Sequence, residues 1–102
     1  MANYNVIIAE RADKMLISHA RFLAKASKSA ALRLADGFEE ILRELGENPY
    51  QFPMETDANL PEGVYRKALF CKWYKAVFTV EGRNVYLDAV LDCRQDNRRV
   101  SL

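Results

Sequence analysis

The last third of the chain most constrains what it can fold into. From Tyr65 to Asp96 it reads YRKALFCKWYKAVFTVEGRNVYLDAVLDCRQD. Three segments, Tyr65–Phe70, Trp73–Val80 and Asn84–Leu91, are rich in Val, Tyr, Phe and Trp, side chains that suit a pleated, half-buried surface. Glu81, Gly82 and Arg83 separate the last two as a hairpin turn would. Alternation then assigns faces. Val85, Leu87, Ala89 and Leu91 share one side of the last strand, with Tyr86, Asp88, Val90 and Asp92 on the other, more polar side. In the strands before it, Tyr74, Ala76, Phe78 and Val80 alternate with Trp73, Lys75, Val77 and Thr79, and Arg66 and Ala68 alternate with Tyr65, Lys67 and Leu69. The polar face is expected to carry Lys75 and Asp88 with either Arg66 or Lys67, as a concave, partly basic surface. The last strand runs into Asp92, Cys93, Arg94, Gln95 and Asp96, so charged and hydrogen-bonding groups gather at one sheet end.

The first half supplies what covers the apolar face. Tyr4–Ile8 has the pattern of a short strand. From Glu10 to Ala26, Ala12, Leu16, Ala20 and Leu23 recur at helical spacing with Met15 beside them. His19 falls at the edge of this stripe, packed there and remote from the basic strand residues. Ser27 or Ser29 can cap a second helix, whose stripe is Ala31, Leu34, Phe38, Ile41, Leu42 and Leu45, with Glu39 and Arg43 as an i,i+4 pair. Gly46 is placed to stop that helix in a left-handed conformation, and Pro49 prevents its resumption. Two long helices joined by so short a link form a hairpin, and the sheet is the partner available for its apolar side. The fold class is therefore α+β, a β-α-α-β-β-β chain with the helical hairpin on a mainly antiparallel sheet. Residues 46–63 read as loop, with Tyr50 and Phe52 tacking the crossing segment to the domain.

Composition narrows the function classes. At 102 residues, half of them apolar, one domain spanning 1–102 with one modest core is expected. No apolar run approaches membrane-span length and no signal-peptide pattern opens the chain, so a cytoplasmic location with no membrane partner is expected. Two cysteines without an export signal read as buried free thiols, and with one histidine they make no zinc spacing, so no metal is expected. The four glycines are isolated and form no phosphate loop, so no cofactor is expected either. Net charge is only +1 but unevenly spread: residues 1–62 hold seven Lys/Arg against ten Asp/Glu, and residues 63–102 hold eight against four. The basic half suits an acidic protein or a nucleic acid.

Several stretches taken together resemble one family. They are the loop ENPYQFP from Glu47 to Pro53, Gly63-Val64-Tyr65-Arg66, the strand Trp73-Tyr74-Lys75-Ala76-Val77-Phe78, and the closing Val90-Leu91-Asp92-Cys93-Arg94-Gln95-Asp96. Their order resembles the RelE/ParE superfamily of bacterial type II toxin–antitoxin toxins, also called plasmid stabilisation proteins. The resemblance implies a small domain partly covered by a cognate antitoxin protein. It also implies one of two targets. RelE-like members cut messenger RNA on the ribosome without a metal, whereas ParE-like members block DNA gyrase. Arg66 and Arg94 match strand arginines of the family, and a guanidinium, always charged and able to hold two oxygens at once, suits phosphate or a partner carboxylate.

The departures from the nuclease pattern select between targets. The resemblance implies that a RelE-like nuclease uses lysines in the loop leading into the late strands and a tyrosine in a tail beyond the last one, but here Gln51–Val64 contains no lysine and nothing after Tyr86 is a tyrosine, so the set for metal-free acid–base cleavage is incomplete. A nuclease would have to use Arg66, Lys67, Lys75 and Arg94. A toxin that acts by binding would instead present Arg66, Trp73, Arg94, Gln95 and Asp96 to target or antitoxin. The ParE-like, gyrase-binding reading is preferred, with a RelE-like mRNA endonuclease as the alternative and a non-toxic family member or binding module as the third.

Overall fold

A computed structural model describes residues 3–57 and 59–94. The elements run β1 (Asn5–Ile8), α1 (Glu10–Ala26), α2 (Lys28–Glu47), a 3₁₀ turn (Pro49–Gln51), β2 (Arg66–Phe70), β3 (Tyr74–Glu81) and β4 (Asn84–Asp92). The sheet order is β1-β4-β3-β2, with β1 parallel to β4 and the other two pairs antiparallel. Two helices on a mixed, mainly antiparallel sheet are the α+β architecture expected from the strand and helix patterns.

A single residue, Ser27, separates the helices. Its extended backbone (φ −160°) breaks the first helix, and its Oγ accepts the Ala30 amide at 3.2 Å to start the second. The expected stripes point inward: Ala12, Leu34, Phe38, Ile41 and Leu45 are buried against Ala68, Phe70, Tyr74, Ala76, Phe78, Val85, Leu87 and Val90. Each large aliphatic or aromatic side chain so buried contributes about 1.5–3 kcal/mol. The end of α2 departs from expectation. Gly46 is not a left-handed stop but lies buried inside the last turn, where its carbonyl accepts the amides of Asn3 and Tyr4 at 2.8 and 2.9 Å. The chain entering β1 takes the carbonyl that a left-handed cap would otherwise satisfy, and the helix ends at Asn48 before Pro49. On its exposed side Arg43 ties Glu40 and Glu47, not Glu39.

One irregularity redistributes the sheet faces. Val77 pairs with Ala89 but Phe78 pairs with Leu87, so Asp88 has no partner and forms a bulge in β4. Side chains alternate with period two, so one extra residue exchanges the faces of everything beyond it. Val85 and Leu87 therefore face the helices, but after the bulge Val90 does so, and Ala89 and Leu91 turn to the opposite face. There they join Val77 in a second apolar cluster, covered by Leu60 and Tyr65 of the segment between the 3₁₀ turn and β2. The far side is thus not the open basic surface expected from strict alternation.

The β2–β3 connection is also unusual. Cys71 and Lys72 occupy it with φ of +48° and +66°, a backbone region that favours glycine. Helix α2 holds it there: the Cys71 thiol donates to the Arg33 carbonyl at 3.3 Å, beside Gly37, where an added Cβ would lie 2.5 Å from the sulfur. Gly37→Ala is expected to destabilise the fold by about 1–3 kcal/mol in urea unfolding. The cost should shrink when Cys71→Ala is also present, a coupling of about 1 kcal/mol or more. Equal cost in both backgrounds would mean the turn does not rest on Gly37.

Candidate functional site

The structure sorts the basic and aromatic residues singled out by sequence into three separate places. On the far face, Lys67 opposite Val77 and Lys75 opposite Leu91 point the same way and converge on Glu55. Glu55 is 4% exposed. One of its oxygens bonds the Lys75 ammonium, and the other accepts the Thr56 amide at 2.8 Å and lies 3.7 Å from Lys67. Burial pushes the Glu55 carboxyl up, but the Lys75 hydrogen bond and charge, with Lys67 and the Thr56 amide, outweigh it and hold the group below its ordinary value. Backbone bonds close the segment on the sheet: Glu55 N–H donates to the Tyr65 carbonyl at 2.8 Å and Lys67 N–H to the Pro53 carbonyl at 3.0 Å.

Arg66 points to the other face, as an immediate strand neighbour of Lys67 must. Its Nη1 donates to the Phe52 carbonyl at 2.7 Å, and its guanidinium carbon lies 5.1 Å from the Tyr50 ring centroid. Tyr50 in turn packs edge-on against Tyr4 and Phe52 against Phe78, so both aromatics anchor the crossing segment as expected.

The third place is the end of β4. Arg94 grips Asp92 through Nε and Nη2 at 3.1 and 3.0 Å, and its guanidinium carbon sits 5.3 Å from the ring centroid of Trp73, which is 48% exposed. Trp73 is therefore a surface residue rather than part of the core. Burial raises the Asp92 carboxyl, but the Arg94 side-chain and amide bonds outweigh it and hold it low. Burial, with Asp92 beside it, pushes the Tyr74 phenol up. His19 is not remote from these basic residues. It lines one cavity with Tyr74, Asp92 and Arg94, its ring 5.2 Å from that of Tyr74, and its Nε2 is 2.8 Å from the Val90 carbonyl. A carbonyl only accepts, so Nε2 carries the proton. Leu87 is the last β4 residue paired with β1, and His19 satisfies the sheet edge beyond it.

The geometry thus brings Lys67 and Lys75 together, leaves Arg66 on the opposite face, and puts Arg94 just beyond β4, against Trp73 at the start of β3 and paired with Asp92. Gln95 and Asp96 lie outside the described residues. Both cysteines are free as expected but exposed rather than buried, and burial of their sulfur environments raises both thiols, the wrong direction for a nucleophile. Among the described residues no cluster of His, Cys, Asp and Glu has metal-holding spacing, and no helix is long and apolar enough to cross a membrane. Glu55 escapes a sequence reading because a carboxylate in a proline-punctuated loop reads as solvated. The signal that finds it is the pair of lysines on a strand face that must be covered, which requires a counter-charge from the covering segment.

Against known proteins, no family model and no curated protein sequence matches the chain. A solved structure does. One chain of the "Chromosomal ParDE TA system from P. aeruginosa" superposes with a TM-score of 0.69 at 15% identity, over 88% of this chain and 96% of that one. The fold is therefore shared with a component of that toxin–antitoxin (TA) system.

Glu55 is held below its ordinary value of 4.5, so its contribution to stability is complete above that pH and is lost as pH falls through the folded value. Glu55→Gln should remove this acid-side dependence and cost about 3 kcal/mol at neutral pH, because it leaves Lys75, only 12% exposed, without a counter-charge. Glu55→Leu combined with Lys75→Met should recover most of the loss in denaturant titrations. An acid profile unchanged by Glu55→Gln would contradict the assignment.

Proposed function

We propose that this chain is the toxin of a toxin–antitoxin pair and arrests growth by binding an essential protein, DNA gyrase, as ParE-like toxins do, rather than by cutting RNA. The toxin–antitoxin role is supported by the fold shared with a chain of the P. aeruginosa ParDE system and by the ordered motifs from Glu47 to Asp96. The observation that carries binding over catalysis is the separation of the four basic residues a nuclease would need. Metal-free RNA cleavage requires an acid and a base converging on one phosphate. Here Lys67 and Lys75 share Glu55, Arg66 is spent on the Phe52 carbonyl on the opposite face, and Arg94 is paired with Asp92. Each of these lysines therefore has a buried carboxylate, rather than a substrate hydroxyl, as the partner of its ammonium.

Binding needs no such convergence. Exposed Trp73 backed by Arg94 has the character of an interface anchor, large, flat and partly apolar, with a charge beside it. The antitoxin is expected to be acidic where it meets the basic half of the chain. A gyrase target also carries a cytoplasmic location.

Induced expression in bacterial cells is expected to stop growth with filamentation and a DNA-damage response, while protein synthesis continues through the first generation. Trp73→Ala with Arg94→Ala should weaken the arrest, and Lys67→Ala should not. Immediate loss of translation with cleaved message would establish the endonuclease alternative, and normal growth would remove the toxin reading.

A further inference from the structure

The outer edge of β1 is left open. In the parallel pairing with β4, Asn5 N–H donates to the Arg83 carbonyl at 2.7 Å and Ala9 N–H to the Leu87 carbonyl at 3.0 Å. Asn5, Ile7 and Ala9 therefore turn their backbone groups to β4, and the N–H and C=O of Val6 and Ile8 point away from the sheet. Among the described residues no group bonds them there. The side chains give no protection either: the strand reads NVII, without lysine, proline or bulge, and Ile7 and Ile8 are exposed. The rest of the sheet is treated differently. Past Leu87, where β1 ends, His19 takes the Val90 carbonyl of β4. On β2 the crossing segment bonds Tyr65 and Lys67, leaving Leu69 as the outward residue before the turn.

An extended segment of any protein could use such an edge, but this one is its own complement. An antiparallel copy centred on Ile7 sets Val6 of each chain opposite Ile8 of the other. Each such pair exchanges both of its N–H···O bonds, and no outward group of the two residues is left over. Ile7 meets Ile7 across the axis as the close, non-hydrogen-bonded pair, with Cα atoms about 4.5 Å apart, and β-branched side chains suit that pleated contact. Charge agrees with the arrangement. Glu10 follows the end of β1, and Arg83 lies beside its beginning, so an antiparallel pair carries Glu10 of each copy toward the end that bears Arg83 of the other. Arg83 has no carboxylate within ion-pair distance among the described residues, and Glu10 has the exposed Lys14.

We propose that β1 is a self-association edge, through which two copies of this chain pair antiparallel about Ile7 into one continuous sheet. So short an edge makes a small interface, and the dimer is a reversible, concentration-dependent one. The pairing does not rest on the toxin reading above.

Sedimentation equilibrium of the full chain under reducing conditions, from about 10 μM to about 1 mM, should show monomer and dimer in exchange. Amide hydrogen exchange should slow with concentration at Val6 and Ile8 but not at Leu69. Ile7→Lys sets like charges directly opposite each other and should weaken association about tenfold. E10R and R83E should each weaken it, and E10R/R83E together should recover it. In a C71S/C93S background, I7C should give a disulfide-linked dimer on mild oxidation, because the opposed Cα atoms fall within disulfide range. N5C should not, its two copies lying about 13 Å apart. Circular dichroism confirms that each variant is folded, and the sedimentation and exchange of the unaltered chain need no variant. The proposal is overturned by a monomer at every concentration, by a dimer in which Val6 and Ile8 exchange as they do in the monomer, by association indifferent to I7K, or by N5C cross-linking as readily as I7C. It is equally overturned if the chain alone stays monomeric and the Val6 and Ile8 amides are protected only by an extended segment of another protein.

Discussion

The unpaired Asp88 in β4 is the constraint on which the far side of this protein depends. It exchanges the faces of the strand's second half, so that Val90 completes the core beneath the helices while Ala89 and Leu91 turn outward beside Val77. An apolar patch in that position must be covered. The segment leading into β2 covers it with Leu60 and Tyr65. The same face carries Lys67 and Lys75, and burying lysine without a counter-charge costs several kcal/mol per ion. Glu55 supplies that charge from within the covering segment. One extra residue in a strand thus accounts for the second cluster, the closed segment and the neutralised lysines.

Where β3 begins and β4 ends, backbone and side-chain rules are least comfortably met. The β2–β3 turn holds two non-glycine residues in left-handed conformation against α2. Beside it lie an exposed tryptophan, the Asp92–Arg94 pair and a histidine satisfying the sheet edge. His19, Tyr74, Asp92 and Arg94 line one cavity there, with Arg94 bonded to Asp92 and the His19 Nε2 to the Val90 carbonyl.

Much of this architecture was legible from the chain alone. The stripes Ala12 to Leu23 and Leu34 to Leu45, the Ser27 cap and the three late strands are local signals, set by side-chain periodicity and by which residues satisfy helix ends. The bulge was not legible, because Val85 to Leu91 alternates without interruption and the register is fixed only when β3 pairs with it. That one miss propagated to the face of Val90, to the supposed open basic surface and to the unrecognised Glu55. Gly46 misled for a related reason: its use as an acceptor for Asn3 and Tyr4 is a long-range contact that no helix-end rule anticipates. Of the candidate residues, the strand assignment of Lys67 and Lys75 was readable, whereas the partners that hold Arg66 and Arg94 come from distant or irregular segments.

The central claim is that the lysine-bearing face is closed, so that this fold works by what it binds at its surface. Native-state hydrogen exchange of the Glu55 and Lys67 amides, which donate to the Tyr65 and Pro53 carbonyls, tests it most directly. Exchange of both amides with an opening free energy close to that of the Val77 amide in β3 is the predicted result. Exchange as fast as that of a solvent-exposed loop would show that the segment opens readily, that Lys67 and Lys75 are available to a substrate, and that the account is wrong.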